Sequence, residues 1–199
     1  MKVTKTQALE NRAHIVETAS TLFRERGYDG VSVADLMAAA GFTHGGFYKH
    51  FGSKADLMAE AAASGFSRAV AYLAGVDAAQ YVKEYLSRPH RDSLRDGCTL
   101  AALPGDAARQ PELIKKAFAA GIESELATLA REDGALGKSA KREARAKRID
   151  TLAHVVGALV LSRACPDDSP LADEILEVCR TRILSQYKRK GDGPNGNVL

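Results

Sequence analysis

Between residues 31 and 57 the chain carries three helix starts in quick succession, a pattern that a strand-based fold cannot absorb. Ser32 is followed three residues later by Asp35, with Val31 and Leu36 in the flanking positions of a hydrophobic staple. Thr43 has Phe42 and Phe47 as its staple pair, and Ser53 with Asp56 opens a longer helix expected to reach about Gly75. Upstream, Ile15, Ala19, Leu22 and Phe23 fall on one face of a helix that should stop at Gly27, with Tyr28-Asp29-Gly30 as the turn. A helix ending in Ala-Ala-Ala, a glycine turn at Gly41 and a second capped helix read as a helix-turn-helix.

The remainder keeps helical spacing with few alternating stretches, so the fold class is all-α. Longer helices are expected near Ala78–Ser87, Cys98–Arg109, Pro111–Glu132, Ala140–Ala164 and Pro170–Tyr187. The expected organisation is a three-helix module over 1–52, a larger helical domain over 53–188 and a disordered Gly/Asn/Pro-rich tail over 189–199. With 199 residues and a formal charge of +3, any nucleic-acid surface has to be local. Cys98, Cys165 and Cys179 are far apart and lack CxxC or metal-ligand spacing, so neither a metal nor a cofactor is expected. A reducing cytoplasm suits three such thiols, and no apolar run has the length of a membrane span.

The stretch "GFTHGGFYKHFGSK" at 41–54 raises a specific question, because each glycine costs about 1 kcal/mol in a helix interior. On a helical wheel Phe47 and Phe51 turn inward toward Leu36, Met37 and Ala40, leaving His44, Gly45, Tyr48 and Lys49 outward. A helix with so little bulk in its first turn can approach a rigid surface closely, and the DNA major groove is one. Gly45 and Gly46 then provide clearance. Thr43 and the first-turn N–H groups can donate to phosphate, Lys49 can reach a base edge or phosphate, Tyr48 and His50 can bond phosphates, and Lys54 adds a charge contact.

Residues 12–60 resemble the TetR family of bacterial transcriptional regulators. The resemblance rests on Leu22-Phe23 near the end of the first helix, Gly27-Tyr28, Ala40-Gly41, Tyr48-x-His50-Phe51 and Ser53-Lys54-x-x-Leu57. Thr43-His44-Gly45-Gly46-Phe47-Tyr48 departs from the family's more frequent Ser-x-Gly-x-Leu/Ile-Tyr, which bears on the bases read and leaves the fold untouched. The resemblance implies double-stranded DNA contact by Thr43, His44, Gly45, Tyr48, Lys49, His50 and Lys54, with Ser32 and Arg12 at phosphates. It also implies that the larger domain binds a small-molecule effector and dimerises.

Apolar stripes at Leu152, Val155, Val156, Leu159 and Val160, and at Leu171, Ile175, Leu176, Val178, Cys179, Ile183 and Leu184, suit a four-helix interface across a two-fold axis. A homodimer on a palindromic operator is therefore expected. Candidate effector contacts are Phe66, Tyr81, Tyr85, Cys98, Leu103, Phe118, Ile122 and His154, each equally at home in an ordinary core. Gly97-Cys98, beside Arg95, sits at an expected helix start where thiol pKa values fall, and it looks like the segment of electrophile- and oxidant-sensing relatives. "SAKREARAKR" reads as a solvated basic helix face. The expected function is an effector-released DNA-binding repressor, not an enzyme; the alternative is a protein-interaction adaptor whose helix-turn-helix only packs.

Overall fold

The computed structural model describes residues 4–130 and 137–191, and the regular structure within them is helical. Packing divides the chain into two compact units, 1–72 with 94–128 and 73–93 with 129–199. Packing thus joins 94–128 to the N-terminal segment.

In the first unit, α1 (Lys5–Arg26) starts on the Thr4 side chain and ends at Gly27, whose φ of 73° favours glycine. Its face Ile15, Ala19, Leu22 and Phe23 is buried as the spacing predicts. Ser32 caps α2 (Val33–Ala39) through a full capping box with Asp35. The helix ends in a Schellman motif: Phe42 N–H donates to Met37 O and Gly41 N–H to Ala38 O, with Gly41 at φ 79°. A 3₁₀ segment, His44–Lys49, follows, and then α3 (Lys54–Leu73), entered with Asp56 N–H donating to Ser53 Oγ at 3.1 Å.

The single helix expected over Cys98–Arg109 is in fact two short ones, α6 (Thr99–Ala102) and α7 (Pro104–Ala107). Pro104 has no N–H to continue the ladder and forces Leu103 out of helical geometry, which accounts for the break. The last helix of this unit, α8 (Glu112–Thr128), buries Ile114, Phe118, Gly121 and Glu125, positions spaced four, three and four apart on one face. Two close approaches fix the packing. A Cβ at Gly65 of α3 would lie 2.1 Å from Thr99 Oγ1, and one at Gly121 would lie 2.2 Å from the Phe66 ring.

The second unit consists of α4 (Ala78–Tyr85), α5 (Arg88–Asp92), α9 (Lys138–Arg163) and α10 (Pro170–Gly191). Helix α5 is an element the periodicity did not announce; Ser87 caps it and Pro89 sits in its first turn, where a missing N–H costs nothing. Its Arg91 is 3% exposed and donates to Asp92 and Asp167 carboxylates, to Ser162 O and Oγ, and to Cys165 O. Every guanidinium donor is thereby engaged, which is what makes a buried arginine tolerable. The basic stretch at the start of α9 is exposed over most of its length, as a solvated face should be. Helix α10 continues through Gly191, beyond the end expected at Tyr187, and residues 192–199 of the expected tail lie outside the described residues. Among the described residues no helix is long and apolar enough to cross a membrane.

Candidate DNA-reading surface

The surface is assembled on an aromatic foundation. Phe47 and Phe51 are buried at 1% and 3% exposure, with ring centroids 5.5 Å apart in a stacked pair, beside the equally buried Leu36 and Met37 of α2. Burial of this pair pins the intervening segment against the core, and Tyr48, 69% exposed, projects from it. Thr43, His44, Gly45 and Lys49 are exposed as well, so five of the nine residues named from the sequence lie together on one exposed segment.

The segment is 3₁₀ rather than the α-helix expected, and Thr43 makes no side-chain cap; its carbonyl accepts from Gly46 N–H at 2.9 Å. Six residues containing a glycine pair are too short and too weak in helix propensity to sustain an α-helix alone, and the tighter turn is the usual resort of such pieces. Neither glycine is required by the fold. Nothing lies within 4 Å of where a Gly45 Cβ would be, and at Gly46 the nearest atoms, Met37 Cε and Thr43 Oγ1, are at an ordinary 3.6 Å. Both have room for alanine.

Four other named residues have different surroundings. Arg12, half-buried on α1, donates to the His50 carbonyl, pairs with Glu60 of α3 and places its guanidinium 4.3 Å from the Phe51 ring centroid. It braces the end of the 3₁₀ segment from behind. Lys54 donates from Nζ to Tyr28 O at 2.6 Å, tying the start of α3 to the turn after α1. Ser32 is exposed and occupied in its capping box, where hydrogen bonds from Ser32 hold the Asp35 carboxyl below its usual range. His50 is half-buried, its ring 6.3 Å from that of Phe42. A cleft of about 250 Å³ lies alongside, lined in part by Arg12, His50, Asp56, Glu60 and Leu113. Sequence separations of 38 and 48 residues carry no periodic signal, so the Arg12 strut was not legible beforehand.

The effector candidates distribute over both units. Phe66, Phe118 and Leu103 are buried in the first with half-buried Cys98 and Ile122, and the Phe66 and Phe118 rings meet edge-on at 5.3 Å. Tyr81, Tyr85 and His154 belong to the second, where the two tyrosine rings are 5.2 Å apart. Cys98 occupies the position before α6, a helix of only four residues. The nearby cation is Arg24 rather than Arg95 alone: burial pulls the Arg24 guanidinium down to about 10, Arg68 acts in the same direction, and Asp96 and Cys98 oppose both. Arg24 also donates to Arg95 O and Ser20 Oγ, joining α1 to the segment before Cys98. A second junction follows, where Tyr28 N–H donates to Asp106 Oδ2 at 3.1 Å.

A short three-helix module with one exposed, glycine-bearing segment held out by buried aromatics belongs to the class of helix-turn-helix proteins. The family model described as bacterial regulatory proteins, tetR family, matches residues 15–61, the segment that holds the helix-turn-helix. The transcriptional regulator AcrR of Shigella flexneri is 42% identical over 57 residues, 29% of this chain and 26% of AcrR. The chain thus matches about a quarter of the length of such curated relatives. Over the whole fold, reduced NemR of E. coli is similar at a TM-score of 0.71 with 18% identity, covering 88% of this chain and 96% of NemR. A TetR-family regulator of Agrobacterium tumefaciens has a TM-score of 0.67 with 22% identity over 90% and 98% of the two chains. These likenesses establish an all-helical fold with an N-terminal helix-turn-helix.

Proposed function

We propose that the protein is a dimeric, effector-controlled transcriptional regulator, a repressor, and not an enzyme. Its 1–52 module reads a palindromic operator, and 53–188 bind the effector and form the dimer. The observation that carries this reading is the glycine pair: a fold that leaves space for a Cβ at Gly45 and Gly46 has no internal use for glycine there, so the clearance serves something outside. The exposed Thr43, His44, Tyr48 and Lys49 around them match a recognition element entering the major groove. Similarity of residues 15–61 to DNA-binding regulators supports the same conclusion.

Control requires a route from the larger helical part to this surface. Asp106 of α7 accepts from the Tyr28 N–H while Lys54 donates to the Tyr28 carbonyl, so one turn residue is gripped from both sides. A small-molecule or thiol-reactive effector that shifts 98–110, with Cys98 as the covalent option, would move the turn that fixes the start of α3. A coupling of about 1–3 kcal/mol, typical of allostery, changes operator affinity about 5- to 150-fold.

Fluorescence anisotropy on duplexes flanking the protein's own gene tests the reading. The parent should bind one duplex against scrambled competitor, the Tyr48→Ala/Lys49→Ala double variant should lose that binding, and Gly45→Ala should weaken it at least tenfold with its thermal stability kept. Unchanged binding in all variants would transfer the role of this surface to protein contacts.

A further inference from the structure

Glu125 is the chemically anomalous residue of the first unit. It is 1% exposed, its Oε1 has no hydrogen-bond partner, and burial pushes its carboxyl up to about 7. An acid in this state is normally eliminated from a core or given a partner, because an unsatisfied buried polar group is costly. It sits on the inward stripe of α8 one turn beyond Gly121 and two beyond Phe118. Side chains of a helix lean back over the preceding turn, so the Glu125 chain extends toward the position of Gly121. That position is covered by the Phe66 ring, which fills the space a Cβ would take and meets Phe118 edge-on.

We propose that Glu125 is the charge-recognition group of the effector site, and that the effector is a lipophilic cation received between Glu125 and the Phe66–Phe118 pair. The proposal rests on the regulator reading above and names the effector class for it. The apolar walls disfavour a strongly hydrated ion, whereas an aryl or quaternary cation brings apolar surface for the rings and a diffuse charge for the carboxylate. Glycine at 121 leaves one side of the Phe66 ring against backbone while Phe118 meets it edge-on, so the ring is the group an incoming ligand displaces. Phe66 belongs to α3, twelve residues from Lys54, about 18 Å along the helix at 1.5 Å per residue. Displacing it acts on the helix whose first residue holds the Tyr28 turn.

Tetraphenylphosphonium and tetraphenylborate form a suitable probe pair, of near-equal size and opposite charge. Titration calorimetry at pH 8, where Glu125 is mostly ionised, should give the cation about a ten- to hundredfold tighter Kd, the range of a charge-assisted contact. Glu125→Gln should abolish that preference, and Glu125→Asp, which keeps the charge, should retain part of it even if the Gln variant folds poorly. Equal affinity for both ions, binding of neither, or a preference that survives Glu125→Gln in folded protein would each overturn the proposal. Operator binding, measured on the same preparation without the ions, separates the two readings: if it is intact while charge selection is absent, only the cation site fails, and if it is absent, the regulator reading fails by itself.

Discussion

Glu125 shows how one residue can set a pH profile. Its folded-state pKa of about 7 lies above the ordinary 4.5, so the folded protein holds a proton that the unfolded chain has released between those values. The associated stability is present at low pH and is lost as pH rises through 7, by about 3 kcal/mol for a shift of this size. Glu125→Gln keeps the shape and removes the ionisation. Urea unfolding at pH 5 and pH 8 should therefore show the variant gaining up to about 3 kcal/mol on the parent at the higher pH; a gap that does not change with pH would mean the carboxyl is solvated. Nothing in the periodicity of α8 identifies this residue as unusual until its burial is known, since a glutamate at that spacing also fits a helix edge.

At the scale of elements, the reading segment depends on parts that are not in it. Arg12 on α1 donates to the carbonyl of His50, which follows the 3₁₀ segment, and pairs with Glu60 on α3. The sequence resemblance points Arg12 at a phosphate; its observed partners, the His50 carbonyl and Glu60, suit a strut. The two roles differ in salt dependence, because each phosphate contact contributes about −0.9 to the slope of log K against log salt. Arg12→Ala should weaken operator binding severalfold while leaving the slope unchanged, whereas Lys49→Ala should reduce its magnitude by about 0.9. A slope that falls equally in both would return Arg12 to the DNA. The break at Pro104 also belongs to this scale: it ends α6 after four residues and brings the Asp106 carboxylate to the Tyr28 N–H, a contact across 78 positions of sequence.

At the scale of the whole molecule, the second unit leaves apolar surface uncovered. Leu161 and Val178 are 61% and 52% exposed, and Val160 and Leu171 join them on α9 and α10. Exposed apolar residues on paired helices favour self-association. Leu161→Glu/Val178→Glu should convert a dimer to a monomer in sedimentation velocity and weaken binding to a full palindrome far more than to a half-site. A parent that sediments as a monomer would remove the two-fold reading. The stripes named from sequence divide on inspection: Leu152, Val155, Leu159, Leu176 and Ile183 are core of the unit itself, and Val160, Leu171 and Val178 are not.

The sequence by itself determined what local chemistry can encode: the all-helical class, the Ser32 and Ser53 starts, the glycine stops at Gly27 and Gly41, and the outward set at 43–49. Each depends on residues within about five positions of one another, where capping, propensity and periodicity act. It misjudged the 3₁₀ geometry of the reading segment and the helix interrupted at Pro104, where competing local preferences are close in energy. Tertiary structure alone decided that 94–128 pack with the N-terminal segment, that Arg12 meets the His50 carbonyl and Glu60, that Arg91 is buried and fully paired, and that Glu125 is buried with an oxygen unpartnered. Those outcomes depend on which surfaces lose water together, and desolvation is a property of the assembled neighbours rather than of any stretch of chain.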